Sequence, residues 1–177
     1  MRTLIIISML GILLSSCTQN LVPFTEKLSR RYNWGESGLS KIQFFTSNDI
    51  IIQRRVNKDE VEIVSGKIKI VDGKEVEEVL VKKGTRGVAV WFPKDDRLGI
   101  SFEIDDEHYL TFGPNPKKTE KYYLLASQWK NKIGKVMYNG QEYFTSPQSA
   151  DVYLMVDMKK LKKWEVDQRI AKGREID

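Results

Sequence analysis

The sequence predicts an all-β fold: a single small β-sandwich or barrel of about eight to ten antiparallel strands, with a short N-terminal helix. Three observations carry this. Short runs alternate apolar and polar with period two, as in Ile100, Phe102 and Ile104 around Ser101 and Glu103. Turn signals recur about every 8 to 12 residues, with no long helical pattern between them. Asp72-Gly73 and Asn139-Gly140 each separate two such runs. A type I′ hairpin turn needs positive φ at both central residues, and these pairs tolerate it.

In chain order, Pro23 to Tyr32 reads as one short helix, with Pro in its first turn and Phe24, Lys27, Leu28 and Arg31 on one face. Asn33-Trp34-Gly35 should end it, and Ser37 to Ser40 offers one more helical turn. Strands are expected at Ile42 to Phe45, Ile50 to Ile52, Val61 to Ile63, Lys67 to Val71 and Lys74 to Val81. Ser65-Gly66 is a turn or a bulge. Further strands are expected at Val88 to Phe92, Ile100 to Ile104, Tyr109 to Phe112 and Tyr122 to Ala126. Pro93 stops the first, and Gly113 to Pro116 reads as a loop. Lys135 to Tyr138, Gln141 to Phe144 and Tyr153 to Met158 complete the set. In Lys159 to Asp177, Leu161, Trp164 and Gln168 fit a helix face, and Trp164, Val166 and Ile170 fit a strand only partly; the stretch reads as a long strand or extended tail, with a helix left open.

The N-terminus carries a different signal. Arg2 precedes an 11-residue run from Leu4 to Leu14, broken only by Ser8 and Gly11; Ser15, Ser16 and Cys17 follow. A cationic start, a short apolar run and small residues before a cut form the layout of a secretory signal. As a helix the run rises about 16 Å, roughly half a bilayer's hydrocarbon core, so it is too short to span. Leu14-Ser15-Ser16-Cys17 resembles the lipobox of bacterial lipoproteins. The resemblance covers 17 residues and rests on the only Cys of the chain. It implies a diacylglycerol thioether on the Cys17 thiol, cleavage between Ser16 and Cys17, and acylation of the freed amine, palmitate-type chains that hold the protein on a membrane. In enterobacterial lipoproteins Asp in the next position favours inner-membrane retention. Thr18 stands there, so the resemblance implies the outer membrane, on its periplasmic or its surface face. The organisation is then 1–16 signal peptide, 17–22 lipidated Cys and tether, and 23–177 one mostly-β domain.

Composition narrows the function. The 177 residues carry a net charge of +5, with 29 Lys+Arg against 24 Asp+Glu. Arg2 is the one charged residue of the signal, so the mature 161 residues would hold +4. That excess is mild and spread out, unlike the dense basic stripe of a nucleic-acid binder. After processing no free Cys remains, so neither disulfide nor thiol chemistry is expected in the body. No Gly-x-Ser-x-Gly, P-loop or His-Glu-x-x-His occurs. Hence no catalytic residue, metal or cofactor is assigned. His108, the single histidine, follows Asp105-Asp106-Glu107; the stretch reads as an acidic hairpin turn rather than a cation site, and Asp95-Asp96 as another turn. A two-carboxylate glycosidase needs no local motif, which leaves a small hydrolase as the third reading.

Trp34, Trp91, Trp129, Trp164 and Tyr122-Tyr123 could form a platform for a sugar or a protein, although core filling is favoured. Lys159-Lys160-Leu161-Lys162-Lys163 could meet anionic headgroups or a phosphorylated glycan, although a solvated charged edge is favoured. The leading expectation is a lipid-anchored, non-catalytic binding or assembly component of an outer-membrane or secretion complex. Its partners are the membrane, through Cys17, and an envelope protein. The alternative is a glycan- or lipid-binding module. A filled core with a flat exposed apolar patch would favour the first; an apolar cavity or three coplanar exposed rings would favour the second.

Overall fold

The computed structural model describes residues 20–56, 67–71, 74–93, 96–115 and 117–162. Among these residues the chain forms thirteen strands and three short helices. The strands are β1 (Leu21–Pro23), β2 (Phe44–Thr46), β3 (Ile50–Arg55), β4 (Lys67–Val71), β5 (Lys74–Val81), β6 (Arg86–Trp91) and β7 (Leu98–Ser101). They continue with β8 (Tyr109–Pro114), β9 (Tyr122–Leu124), β10 (Gln128–Lys130), β11 (Ile133–Tyr138), β12 (Gln141–Thr145) and β13 (Leu154–Asp157). The helices are α1 (Glu26–Tyr32), α2 (Glu36–Leu39) and a 3-10 helix (Pro147–Asp151).

The fold is all-β, as the alternation predicts. One sheet has seven strands in the order β1-β13-β2-β6-β7-β8-β9; the other has six, β10-β11-β12-β3-β5-β4. All the pairings are antiparallel. The count exceeds eight to ten; β1 and β10, three residues each, are too short to leave an alternating pattern, whereas β2 and β9 overlap the strands expected at Ile42 to Phe45 and Tyr122 to Ala126. Neither sheet is a closed barrel, yet the seven-stranded one curls far. Isolated bridges join Tyr123 to Tyr153 and Thr25 to Lys121, and Leu124 N–H donates to the Val152 carbonyl at 2.9 Å. The two ends of the strand order are thus tied without a continuous ladder.

A single apolar cluster lies between the sheets. The seven-stranded sheet sends in Phe44, Ile100, Leu110, Phe112, Leu154 and Val156, and the six-stranded sheet sends in Ile50, Ile52, Val79, Val136, Tyr138 and Tyr143. Each fully buried side chain of this size contributes about 1.5–3 kcal/mol. The chain crosses between sheets at Ser47 to Asp49, where the Ser47 hydroxyl accepts the Tyr153 N–H at 3.0 Å.

Several local expectations are corrected. Pro23 belongs to β1, paired with Met155, because Thr25 is the helix cap and its hydroxyl accepts the Leu28 N–H. Helix α1 closes at Asn33 in the left-handed region (φ 45°) rather than at Gly35. Residues 21 and 22, expected outside the domain, are strand as well. Strand β7 stops at Ser101, whose hydroxyl donates to the Asp105 carbonyl at 2.7 Å; the chain turns there and leaves Ile104 in solvent. Strand β8 runs through Gly113 and Pro114, read as loop, since Pro114 faces Tyr122 at the strand's end. Residues 158–162 form a helical turn and not a strand or extended tail. The strand expected at Val61 to Ile63, Asp95 and the stretch from Lys163 onward lie outside the described residues. Asn139-Gly140 makes its turn as predicted, with φ of 47° and 68°, and strands β4 and β5 pair on either side of Asp72-Gly73.

One inward position of β3 carries charge. Arg54 lies opposite Glu77 of β5, its Nε donating to Glu77 Oε2 at 2.7 Å, with both residues buried. The guanidinium sits 5.8 Å from the centre of the Tyr143 ring. Burial first, and then the Glu77 carboxylate, push the Tyr143 hydroxyl up to about 12. Removing one partner of a buried pair strands the other, so Glu77→Gln should cost about 3–5 kcal/mol in urea unfolding. The Tyr143 hydroxyl has a folded pKa above its unfolded value near 10. Its contribution to stability is therefore complete below pH ~10 and is lost as the pH rises towards ~12. Urea melts across that window should show a steeper fall for the natural protein than for Tyr143→Phe.

Candidate functional site

Cys17, the residue to which the sequence assigns the acyl chains, lies outside the described residues, as does Ser16. The first described residue, Asn20, is three positions on. Its carbonyl accepts the Met158 N–H at 3.2 Å, and Leu21 faces Asp157 across β1 and β13. The chain therefore enters the domain beside the helical turn 158–162. Leu161 is buried there, while Lys159, Lys160 and Lys162 are exposed. Lys41, just before β2, joins them: Lys41, Ile42, Gln43, Asp157, Lys160 and Leu161 line one shallow cleft of about 260 Å³. The Asp157 carboxylate accepts the Lys159 N–H at 3.0 Å.

A second cluster sits at the opposite end of the same sheet. Strands β1 and β7 run in the same direction, so Asn20 at the start of one and Glu103 past the end of the other are at opposite ends. There Glu103, Asp105 and His108 bring potential ligand atoms within 4.8 Å of one another. Asp105 and His108 were considered together in the sequence; Glu103 was not, because the alternation placed it in a strand. The geometry is that of a hydrogen-bonded turn. Asp105 Oδ1 accepts the backbone N–H groups of Glu107 (3.0 Å) and His108 (2.9 Å) and lies 2.6 Å from His108 Nδ1. Hydrogen bonds from the ring and backbone of His108 hold the Asp105 carboxyl below its ordinary range. Glu103 accepts the Tyr138 hydroxyl from the other sheet, and the His108 ring packs on the Tyr138 ring at 5.3 Å. These bonds occupy Asp105 Oδ1, His108 Nδ1 and Glu103 Oε1, while His108 Nε2 is buried with no hydrogen-bond partner among the described residues. The turn fastens one end of the sandwich.

Trp34 and Tyr122 both pack on Phe24, with ring centres 6.4 and 4.6 Å from it, while Trp91 and Trp129 stand in different sheets. Trp34 stacks on Tyr32, rings 4.7 Å apart and 5° from parallel. Trp91 packs against Tyr109 in the seven-stranded sheet at 5.4 Å. Trp129 lies over Gly134 in the other sheet, where a Cβ would come within 2.7 Å of its Cζ3 atom. Tyr122 and Tyr123 are buried, and Trp164 is outside the described residues. Trp91 and Trp129 keep about two-fifths of their surface exposed, at 42% and 40%, so core filling is only partial.

Comparison with known protein families, with curated proteins and with solved structures returned no match. Function must be argued from this chain's own surfaces.

A further apolar feature is not singled out in the sequence. On the outward face of the six-stranded sheet, Ile133 and Met137 (β11), Phe144 (β12) and Leu80 (β5) are 41–56% exposed. Ile51 faces Leu80 in register, and Lys135 faces Phe144. Ile133 and Phe144, with Gln128, Lys130, Asn131 and Lys135, line a cleft of about 380 Å³. Lys135 pairs with Glu142 at 2.5 Å, and Gln53 donates to Glu78 at 2.6 Å. A solvated face of an antiparallel sheet is ordinarily polar. Leu80, Met137 and Phe144 fall in strands that the sequence predicts without assigning them a face, and Ile133 lies just before the strand predicted at Lys135 to Tyr138.

Asp105→Ala removes the acceptor for two backbone N–H groups. Amide exchange at Glu107 and His108 should then accelerate by about tenfold or more, the equivalent of at least 1.4 kcal/mol of local opening, while core amides of β8 stay protected.

Proposed function

We propose that this protein is a lipid-anchored component of the cell envelope, non-catalytic, which uses its β domain to dock on a protein partner in an outer-membrane or secretion complex. Leu14-Ser15-Ser16-Cys17 supports the anchor, and Thr18 the outer membrane by its resemblance to sorting signals. The observation that carries the docking role is the exposed apolar face of Leu80, Ile133, Met137 and Phe144. Large apolar side chains grouped on the solvent face of one sheet, between Lys135, Glu142 and Gln53, support an interaction site. Fully buried Tyr138, Tyr143, Phe44 and Phe112 fill the space between the sheets. The scattered placement of Trp34, Trp91 and Trp129 also favours a protein partner over a stacked sugar.

Intact mass and membrane fractionation of the natural protein beside Cys17→Ser test the anchor. The natural protein should carry acyl mass and sediment with outer membranes, and Cys17→Ser should lose both. Crosslinking in the same membranes tests the docking face. Phe144→Glu/Leu80→Glu should keep the acyl mass and unfolding midpoint but lose the crosslinked envelope protein. A domain whose crosslinks survive this double substitution docks elsewhere or not at all.

A further inference from the structure

We propose that the basic end of the seven-stranded sheet, formed by Lys41, Lys159, Lys160 and Lys162, docks on anionic phospholipid headgroups and stands the domain end-on against its membrane. This rests on the anchored reading of Cys17. From Cys17 to Asn20 are three residues, and a fully extended chain of that length spans at most about 11 Å. The Asn20 carbonyl is bound to the Met158 N–H, so any lipid on Cys17 lies within that reach of the helical turn 158–162.

That turn is shaped to expose charge. Leu161 is held in the core at 5% exposure, which directs Lys159, Lys160 and Lys162 outwards. Lys41 arrives from the start of β2 and shares a cleft with Lys160. Strand direction explains the grouping: β1 and β2 begin at this end and β13 finishes there. None of the four lysines forms an ion pair among the described residues. The one acid lining their cleft, Asp157, is buried and accepts a backbone N–H. The acidic turn of Glu103, Asp105, Asp106 and Glu107 is at the far end of the strands, where headgroup charge is screened beyond about 8 Å at physiological salt. The four lysines thus sit beside the chain's entry, away from that acidic turn. Each lysine near an anionic surface favours association by about fivefold, so four acting together would bias the orientation strongly once the acyl chains hold the domain in place.

The test uses the mature lipidated protein, inserted from outside into vesicles of phosphatidylcholine alone or with about one-third phosphatidylglycerol. Brief amine acetylation with peptide mass spectrometry reads each lysine. Lys41, Lys159, Lys160 and Lys162 should react at least about fivefold more slowly on the anionic vesicles, and about 1 M salt should restore them. Lys82 and Lys83, exposed before β6 at the opposite end, should be unchanged. Equal reactivity on both vesicles, from protein that carries acyl mass and floats with them, overturns the basic-end docking and leaves the anchor intact. Protein without acyl mass that fails to float overturns the anchor and this orientation with it. Equal protection by inorganic phosphate with neutral vesicles also overturns it, because the lysines would then answer to free phosphate rather than to a membrane.

Discussion

The pairing of the first described strand with the last governs what this domain presents to its surroundings. Strand β13 lies between β1 and β2, so residues 21 and 157 are neighbours although most of the chain separates them. Contacts of such separation form only after the intervening loops have closed, and the core between the sheets supplies the favourable energy for that closure. The position of the N-terminal entry is therefore a property of the whole fold and not of the tether. One pairing brings Asn20, the lysine-bearing turn and Lys41 to a common end. It also sends the acidic turn after β7 to the other.

The second organising feature is the charge inside the six-stranded sheet. Arg54 and Glu77 occupy positions whose neighbours along the strands are Ile50, Ile52, Val79 and Val81. Two charges removed from water are costly, and their attraction repays this only when both are well bonded. Here the bond between them is short, and Tyr143 covers the guanidinium with its ring. The arrangement fixes register as well as charge. A slip of one residue between β3 and β5 would take Arg54 off Glu77 and turn one strand's apolar set, such as Ile50 and Ile52, to solvent.

Legibility from sequence divides along the range of the interaction. Strands β3, β11 and β12 and the Asn139-Gly140 turn depend on residues next to one another, and the alternation with its turn pair was enough to place them. Strands β1 and β10 are three residues each and owe their existence to partners far along the chain, so no local period reveals them. Pro114 was read as a breaker because its missing donor matters inside a sheet; at the end of β8 the loss is small. Ile104 was read as an inward position because alternation cannot see the Ser101 hydroxyl that ends β7. The candidate sites divide in the same way. The cysteine signal and the lysine run were visible as residues in a row. That the chain's entry at Asn20 and the lysine-bearing turn share one end of one sheet was not, since it follows from β1 pairing with β13. Glu103 was hidden for the same reason, because its tie to Tyr138 joins different sheets.

These constraints act together on the proposed reading. A sandwich needs one apolar face per sheet, and the inward residues of β3, β5, β11 and β12 already provide it for the six-stranded sheet. Leu80, Ile133, Met137 and Phe144 on the outward face add nothing to that core, and unlike the outward Lys135–Glu142 and Gln53–Glu78 pairs they find no polar compensation. Their presence is intelligible if another surface covers them. If Cys17 is lipidated as proposed, the three residues from it to Asn20 would hold the domain end-on, with the broad face of the six-stranded sheet standing away from the lipid. A basic end docked on the membrane as proposed would then leave the apolar face open to a protein beside it, so anchoring and docking need not compete for surface.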